Sequence, residues 1–168
     1  MTRTLVVLAV CAAAGPMRAR AEVIERVLAV VQGAVITLSD ATAAADLGLV
    51  VVAPTDDPLG ATLGKLIDRQ LILAEVERYA PSEPAPEAID ELVRTVRARF
   101  PSAEAYNAAL NRSGLDEARL RQLLRDELRI DAYLDQRFPA DRRATLTAEW
   151  VNGLRRRAEV IYLYLPRR

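Results

Sequence analysis

Val27-Leu28-Ala29-Val30-Val31-Gln32-Gly33-Ala34-Val35-Ile36-Thr37-Leu38-Ser39-Asp40 is the stretch that decides the fold. Two short β-branched runs, 27–31 and 34–38, flank Gln32-Gly33, and a glycine between such runs supplies the left-handed backbone of a tight hairpin turn. Thr37 stands three residues before Asp40, the spacing of a capping box, so a helix is predicted from there through Ala41 to about Leu49. A lone hairpin is barely stable in water. The other strand-like run is Val160 to Leu165, where Val160, Tyr162 and Tyr164 alternate with Ile161, Leu163 and Leu165, apolar on both faces. The C-terminal strand is therefore expected to pair with the N-terminal hairpin and tie the chain ends together.

What lies between reads as helix. Val50 to Pro54 is a short strand or an extended connector, and Thr55-Asp56-Asp57-Pro58 is a loop that opens a helix with proline in its first turn. Leu59, Leu63, Leu66, Ile67, Leu71 and Ala74 follow at helical spacing, with Ile72 and Leu73 off the stripe, so this should be the most buried helix. Pro86 can open a third helix whose Ile89, Leu92, Val93, Val96 and Phe100 share one face before Pro101 ends it. Ser102 is an N-cap for a short helix through Tyr106 and Leu110, with Gly114 closing it.

A long helix is predicted from about Asp116 to Phe138, with Leu120, Leu123, Leu124, Leu128, Ile130, Leu134 and Phe138 inward. Its best intrahelical ion pair would be Glu117 with Arg121. After a polar break from Pro139 to Ala144, Thr147 can cap a last helix through Trp150, Val151 and Leu154. Arg155-Arg156-Arg157 suits the negative end of that helix, with a small patch for anionic lipid or an acidic partner as the alternative. The fold class is mostly α, a helical body with a small antiparallel sheet.

Ahead of this body, Arg3, the apolar run Leu5 to Ala14 and Ala19-Arg20-Ala21 have the form of a secretory signal peptide, with cleavage expected after Ala21 at the Ala19/Ala21 site. A membrane anchor fits less well, because Gly15-Pro16 breaks a run already too short to span. Leu8-Ala9-Val10-Cys11 departs from a lipoprotein box by having Val10 where a small residue is required. Residues 22–168 would then form one mature domain, exported to the periplasm without a membrane span. Losing Arg3, Arg18 and Arg20 takes the balance of 23 basic and 23 acidic residues to −3, which suggests no nucleic-acid partner.

The composition narrows the chemistry sharply. The one cysteine, Cys11, leaves with the leader, and histidine is absent altogether. That removes thiol chemistry, the commonest metal ligand and the usual general base near neutral pH. Asp56-Asp57 and Asp116-Glu117 sit where acids cap helices, and Gly60, Gly64 and Lys65 lack the spacing of a phosphate-binding loop. No cofactor, metal site or catalytic residue is expected.

The hairpin stretch above, together with Leu66-Ile67-Asp68-Arg69-Gln70-Leu71-Ile72-Leu73, resembles the opening and central helix of SurA and related parvulin-type periplasmic chaperones. Arg94 to Phe138 continues the resemblance, and Ala148 to Leu163 is similar to the helix and strand that return, in that family, after the isomerase domains. The resemblance covers nearly all of residues 22–168 and implies the N-terminal chaperone domain of that family. A parvulin domain of about a hundred residues would belong between Phe138 and Thr147, where only 139–146 stand, and the histidines typical of parvulin active sites are missing. Prolyl isomerase activity is therefore not expected.

The expected function is non-catalytic binding of unfolded exported polypeptides, outer-membrane proteins among them. Tyr79, Phe100, Tyr106, Tyr133 and Phe138 are the candidate peptide-binding residues, because aromatic rings contact varied apolar segments at small entropic cost. Core packing is the alternative for each. An isomerase with residual activity, or an adaptor subunit docking a separate isomerase or assembly factor, are the competing functions.

Overall fold

The computed structural model describes residues 25–79 and 82–165. The proposed leader, with Ala19 and Ala21, lies outside the described residues. The chain forms β1 (Val27–Val31), β2 (Ala34–Thr37), α1 (Leu38–Asp46), α2 (Pro58–Tyr79), α3 (Pro86–Arg97), α4 (Ala103–Arg112), α5 (Glu117–Arg137), a 3-10 turn (Ala140–Arg142), α6 (Arg143–Arg157) and β3 (Val160–Tyr162).

The hairpin turns on two residues, with Val31 opposite Ala34. Gln32 and Gly33 both have positive φ, 50° and 86°, which lets the turn follow the right-handed twist of the strands. The sheet order is β2-β1-β3, antiparallel throughout, with Val30 opposite both Val35 and Ile161. The C-terminal strand thus pairs with the N-terminal hairpin as the alternation predicts. It stops at Tyr162 rather than Leu165, beside the point where the β1–β2 ladder bulges between Val27 and Ala29. Leu163 and Tyr164 then both donate to the carbonyl of Leu28.

The capping box at Thr37 and Asp40 is complete: Asp40 N–H donates to Thr37 Oγ1, and Thr37 N–H donates to the Asp40 carboxylate. The helix it opens ends at Asp46, short of the predicted Leu49. Gly48 has φ +64°, its N–H donates to Ala45 O, and Leu49 N–H donates to Ala44 O. That is a Schellman stop, and Gly114 makes the same one after α4.

Asp57 opens α2 by accepting from Gly60 N–H, and the same carboxylate oxygen accepts from Tyr164 Oη at 2.7 Å, fastening the tail beyond β3 to the helix start. Ser102 and Asp116 cap α4 and α5 as their positions predict. Thr147 does not cap α6, which begins at Arg143. The segment expected as a break continues from a 3-10 turn directly into helix, and Thr147 lies inside with its hydroxyl buried and, among the described residues, without a hydrogen-bond partner. Arg121 does not bridge to Glu117 either. It reaches Asp90 of α3, while Glu117 meets Arg97, so both charges join helices instead of decorating one.

Three apolar clusters hold the body together. Leu28, Val31 and Ile36 from the sheet pack on Leu63, Ile67 and Leu71 of α2. Val93, Val96, Tyr106, Leu120 and Leu124 join α3, α4 and α5. Ile72, Val76, Ile130, Leu134 and Val151 join α2, α5 and α6. Helices α2 and α6 both serve the first and the third cluster, and this double duty is why the apolar residues of α2 spread around the helix.

Candidate functional site

Two neighbouring clefts open where α2 and α5 are not fully covered. The first, about 400 Å3, has walls from Val35 and Leu49 on one side, Leu66 and Leu73 of α2, Leu92 of α3 and Leu123 of α5. The second, about 790 Å3, lies between α2, α5 and α6, with Ile72, Ile130, Leu134 and Val151 on its floor. Leu49, Val50, Arg69 and Glu127 line both. The clefts therefore meet along the connector after α1 and the Arg69–Glu127 bridge.

That boundary is well built. Arg69 Nε lies 3.2 Å from Glu127 Oε2, and a second guanidinium nitrogen donates to Leu123 O at 2.9 Å. Across the first cleft, one terminal nitrogen of Arg99 donates to Leu47 O and Gly48 O, at 3.1 and 2.7 Å, and so holds the C-terminal end of α1 against α3. A side chain at Gly48 would put its Cβ 2.9 Å from that nitrogen. The connector beyond, Val50 to Pro54, runs without a strand partner and leaves Val51 exposed.

Such walls can take up apolar side chains and also carry charged ones, Arg69, Arg99, Asp126 and Glu127 among them. Both volumes lie in the usual span of small-ligand sites, roughly 300–1,000 Å3. Among the described residues no three Asp, Glu, His or Cys side chains converge as metal ligands do, and no helix is long and apolar enough to cross a membrane.

The five aromatic candidates lie elsewhere. Tyr106 is fully buried in the α3–α4–α5 cluster, edge-on to half-buried Phe100 and beneath the Arg97 guanidinium, 4.9 Å from its ring centre. Tyr133 is buried and Phe138 half-buried around Trp150, with ring centres 5.9 Å from it in both cases. Arg137 lies over Trp150, 4.9 Å from its ring centre. Tyr79, 64 % exposed, stacks on Tyr133 at 5.6 Å. The structure thus brings Tyr79, Tyr133 and Phe138 into one aromatic row and keeps Phe100 and Tyr106 apart from it. None of the five lines either of these two clefts.

The residues that do line the clefts carried weak signals. Leu123 belongs to an apolar stripe indistinguishable from core, and Leu49 and Val50 fall in a run assigned to helix end and connector. Gly48 was the available clue, since a helix stopped there leaves Leu49 and Val50 as loop. No family model matches the chain, and no curated protein is detectably similar to it.

Proposed function

We propose that the chain is a non-catalytic, chaperone-like domain of the periplasm that holds unfolded or partly folded exported polypeptides, outer-membrane proteins among them. The observation that carries this reading is the pair of clefts meeting at Leu49 and Val50, whose walls mix apolar with charged side chains. A Leu- or Phe-sized side chain moved into such a cleft gains roughly 1.5–3 kcal/mol. Ordering the chain that brings it costs about 0.5–1.5 kcal/mol per immobilised side chain. Two adjoining clefts taking several side chains give a modest net affinity, which suits a binder that must also release. The resemblance to the chaperone part of SurA-like proteins and the absence of histidine agree with holding rather than turnover.

The test is aggregation suppression of a urea-diluted outer-membrane protein by an equimolar amount of residues 22–168. Suppression is expected, and Leu123→Glu with Val50→Asp should weaken it while the protein still melts cooperatively. No suppression would refute the reading. A stable stoichiometric complex with a separate isomerase, without suppression, would favour the adaptor. Acceleration in a protease-coupled proline-peptide assay at substoichiometric protein would favour the enzyme.

A further inference from the structure

The two clefts share one stripe of α5. Leu123, Glu127, Ile130 and Leu134 recur at spacings of four, three and four, which places them on a single face of the helix. Leu123 lines the first cleft, Ile130 and Leu134 line the second, and Glu127 lines both. The other residues common to the two clefts are Arg69, its ion-pair partner on α2, and Leu49 with Val50. The Glu127 side chain stays 49 % exposed, so the seam between the clefts is not packed core.

The chain that reaches this seam is held at its ends and not along its length. Before it, Arg99 grips the Leu47 and Gly48 carbonyls, and the N–H groups of Leu49 and Val50 both donate to Ala44 O. After it, Asp57 accepts from Gly60 N–H and from Tyr164 Oη at the start of α2. Residues 51–56 have no hydrogen bond to any helix or strand among the described residues. Leu49 packs on the α3–α4–α5 cluster, whereas Val50 and Val52, both half-buried, belong to none of the three clusters. Val51 and residues 53–56 are exposed. A segment with so few bonds and buried contacts opens locally, well before the body to which it is tied.

We propose that residues 50–56 are a strap, anchored at Leu49 and Asp57, that lifts from the seam and turns the two clefts into one groove along α5 for an extended polypeptide segment. The lining residues of α5 run from Arg119 to Leu134, a length of about 22 Å at the helical rise per residue. An extended chain covers that distance with about seven residues. Either cleft alone takes about half as many. The inference rests on the holding function proposed above, and it adds the length of chain held and the part of the domain that moves to admit it.

The probe is a synthetic peptide of about eight residues, leucines at both ends and serines between, compared with its half of about four. The long peptide should bind more than about tenfold more tightly than the half, because one segment then fills both clefts. In its complex the Val50 amide should exchange about tenfold or more faster, as the bond to Ala44 O breaks. The Leu115 amide, bonded to Leu110 O in the equivalent stop after α4, should keep its rate. Residues 22–168 contain no cysteine, so an introduced pair is the sole cross-linking site. Val51→Cys with Lys65→Cys, both lining the second cleft, lets a short bis-maleimide tie the strap to α2. The tied domain should bind the long peptide no better than the half, and a long flexible linker between the same sites should restore the difference.

Equal binding of the two peptides, or a Val50 amide whose exchange is unchanged or slowed in the long-peptide complex, overturns the strap and leaves the clefts as separate holding sites. Undiminished binding of the long peptide by the tied domain does the same. So does a long linker that restores nothing, since obstruction of the cleft then accounts for the loss. Absence of binding by either peptide also overturns the strap. Aggregation suppression in that case keeps the holding function standing, and its absence removes both.

Discussion

The buried hydroxyl of Tyr106 has no hydrogen-bond partner of normal geometry among the described residues, an arrangement that costs stability. Tyr106→Phe keeps the ring under Arg97 and should be neutral or stabilising by up to about 1 kcal/mol in urea unfolding at pH 7. Burial also pushes its phenol and that of Tyr133 up from the ordinary value of 10.0. A phenol that ionises later when folded leaves stability intact below pH 10.0 and removes it as pH rises further. The Phe variant should therefore lose less stability than the parent in alkaline unfolding series. Gly48 is the opposite case, a residue whose missing side chain is used. With φ +64° and Arg99 close to where a Cβ would stand, Gly48→Ala should cost about 1–2 kcal/mol, read from the urea midpoint.

At the scale of elements, helix starts account for the acid response. Glu25 accepts from both the backbone and hydroxyl of Ser39 in the first turn of α1, and these bonds hold its carboxyl below the ordinary 4.5. Glu104 is lowered in the same way by its own backbone N–H and by Ser102 at the start of α4, and Glu83 by the two-pronged Arg125 contact that ties the approach to α3 onto α5. Carboxyls that are more acidic when folded stabilise above pH 4.5, and that contribution disappears as pH falls through their folded values. Urea midpoints should hold from pH 7 to about 5 and then drop, and Glu25→Gln should make the drop shallower. The turn chemistry behind these elements was legible in sequence wherever one residue decides the matter: Gly33 for the hairpin, Thr37 and Asp40 for α1, Ser102 for α4, Asp116 for α5. It failed at Thr147 and at the Glu117–Arg121 pair, because those depended on which partner lay across the fold. Arg143 reaches Asp131 and Asp135 of α5 and starts α6 early, and Asp90 of α3 outcompetes Glu117 for Arg121.

For the whole molecule, the alternation in Val160 to Leu165 was enough to place β3 beside β1, the strand pairing that joins the two ends of the described chain. The clefts were not legible. A stripe such as Leu120, Leu123 and Leu124 looks equally apolar whether a neighbour covers all of it or leaves Leu123 open, and that depends on how closely α1 and α3 approach. Ending the chain after Glu159 removes the ladder to β1 and the Tyr164–Asp57 link together, and so exposes part of the sheet–α2 core. The truncated domain should melt more than about 10 °C lower, or without cooperativity, in a circular dichroism scan.

The antiparallel pairing of the first and last strands also sets how the domain yields to force. Tyr162 lies opposite Ala29, so the segments leading into β1 and out of β3 depart from the same end of the ladder. Tension between handles at residues 25 and 165 would load the β1–β3 bonds one after another, as a zipper is loaded, rather than all at once in shear. Force spectroscopy with those handles should open the domain at a lower force than handles placed at residues 31 and 165, where the strands are pulled along their length. A domain built this way yields most readily when the two ends of its chain are drawn apart.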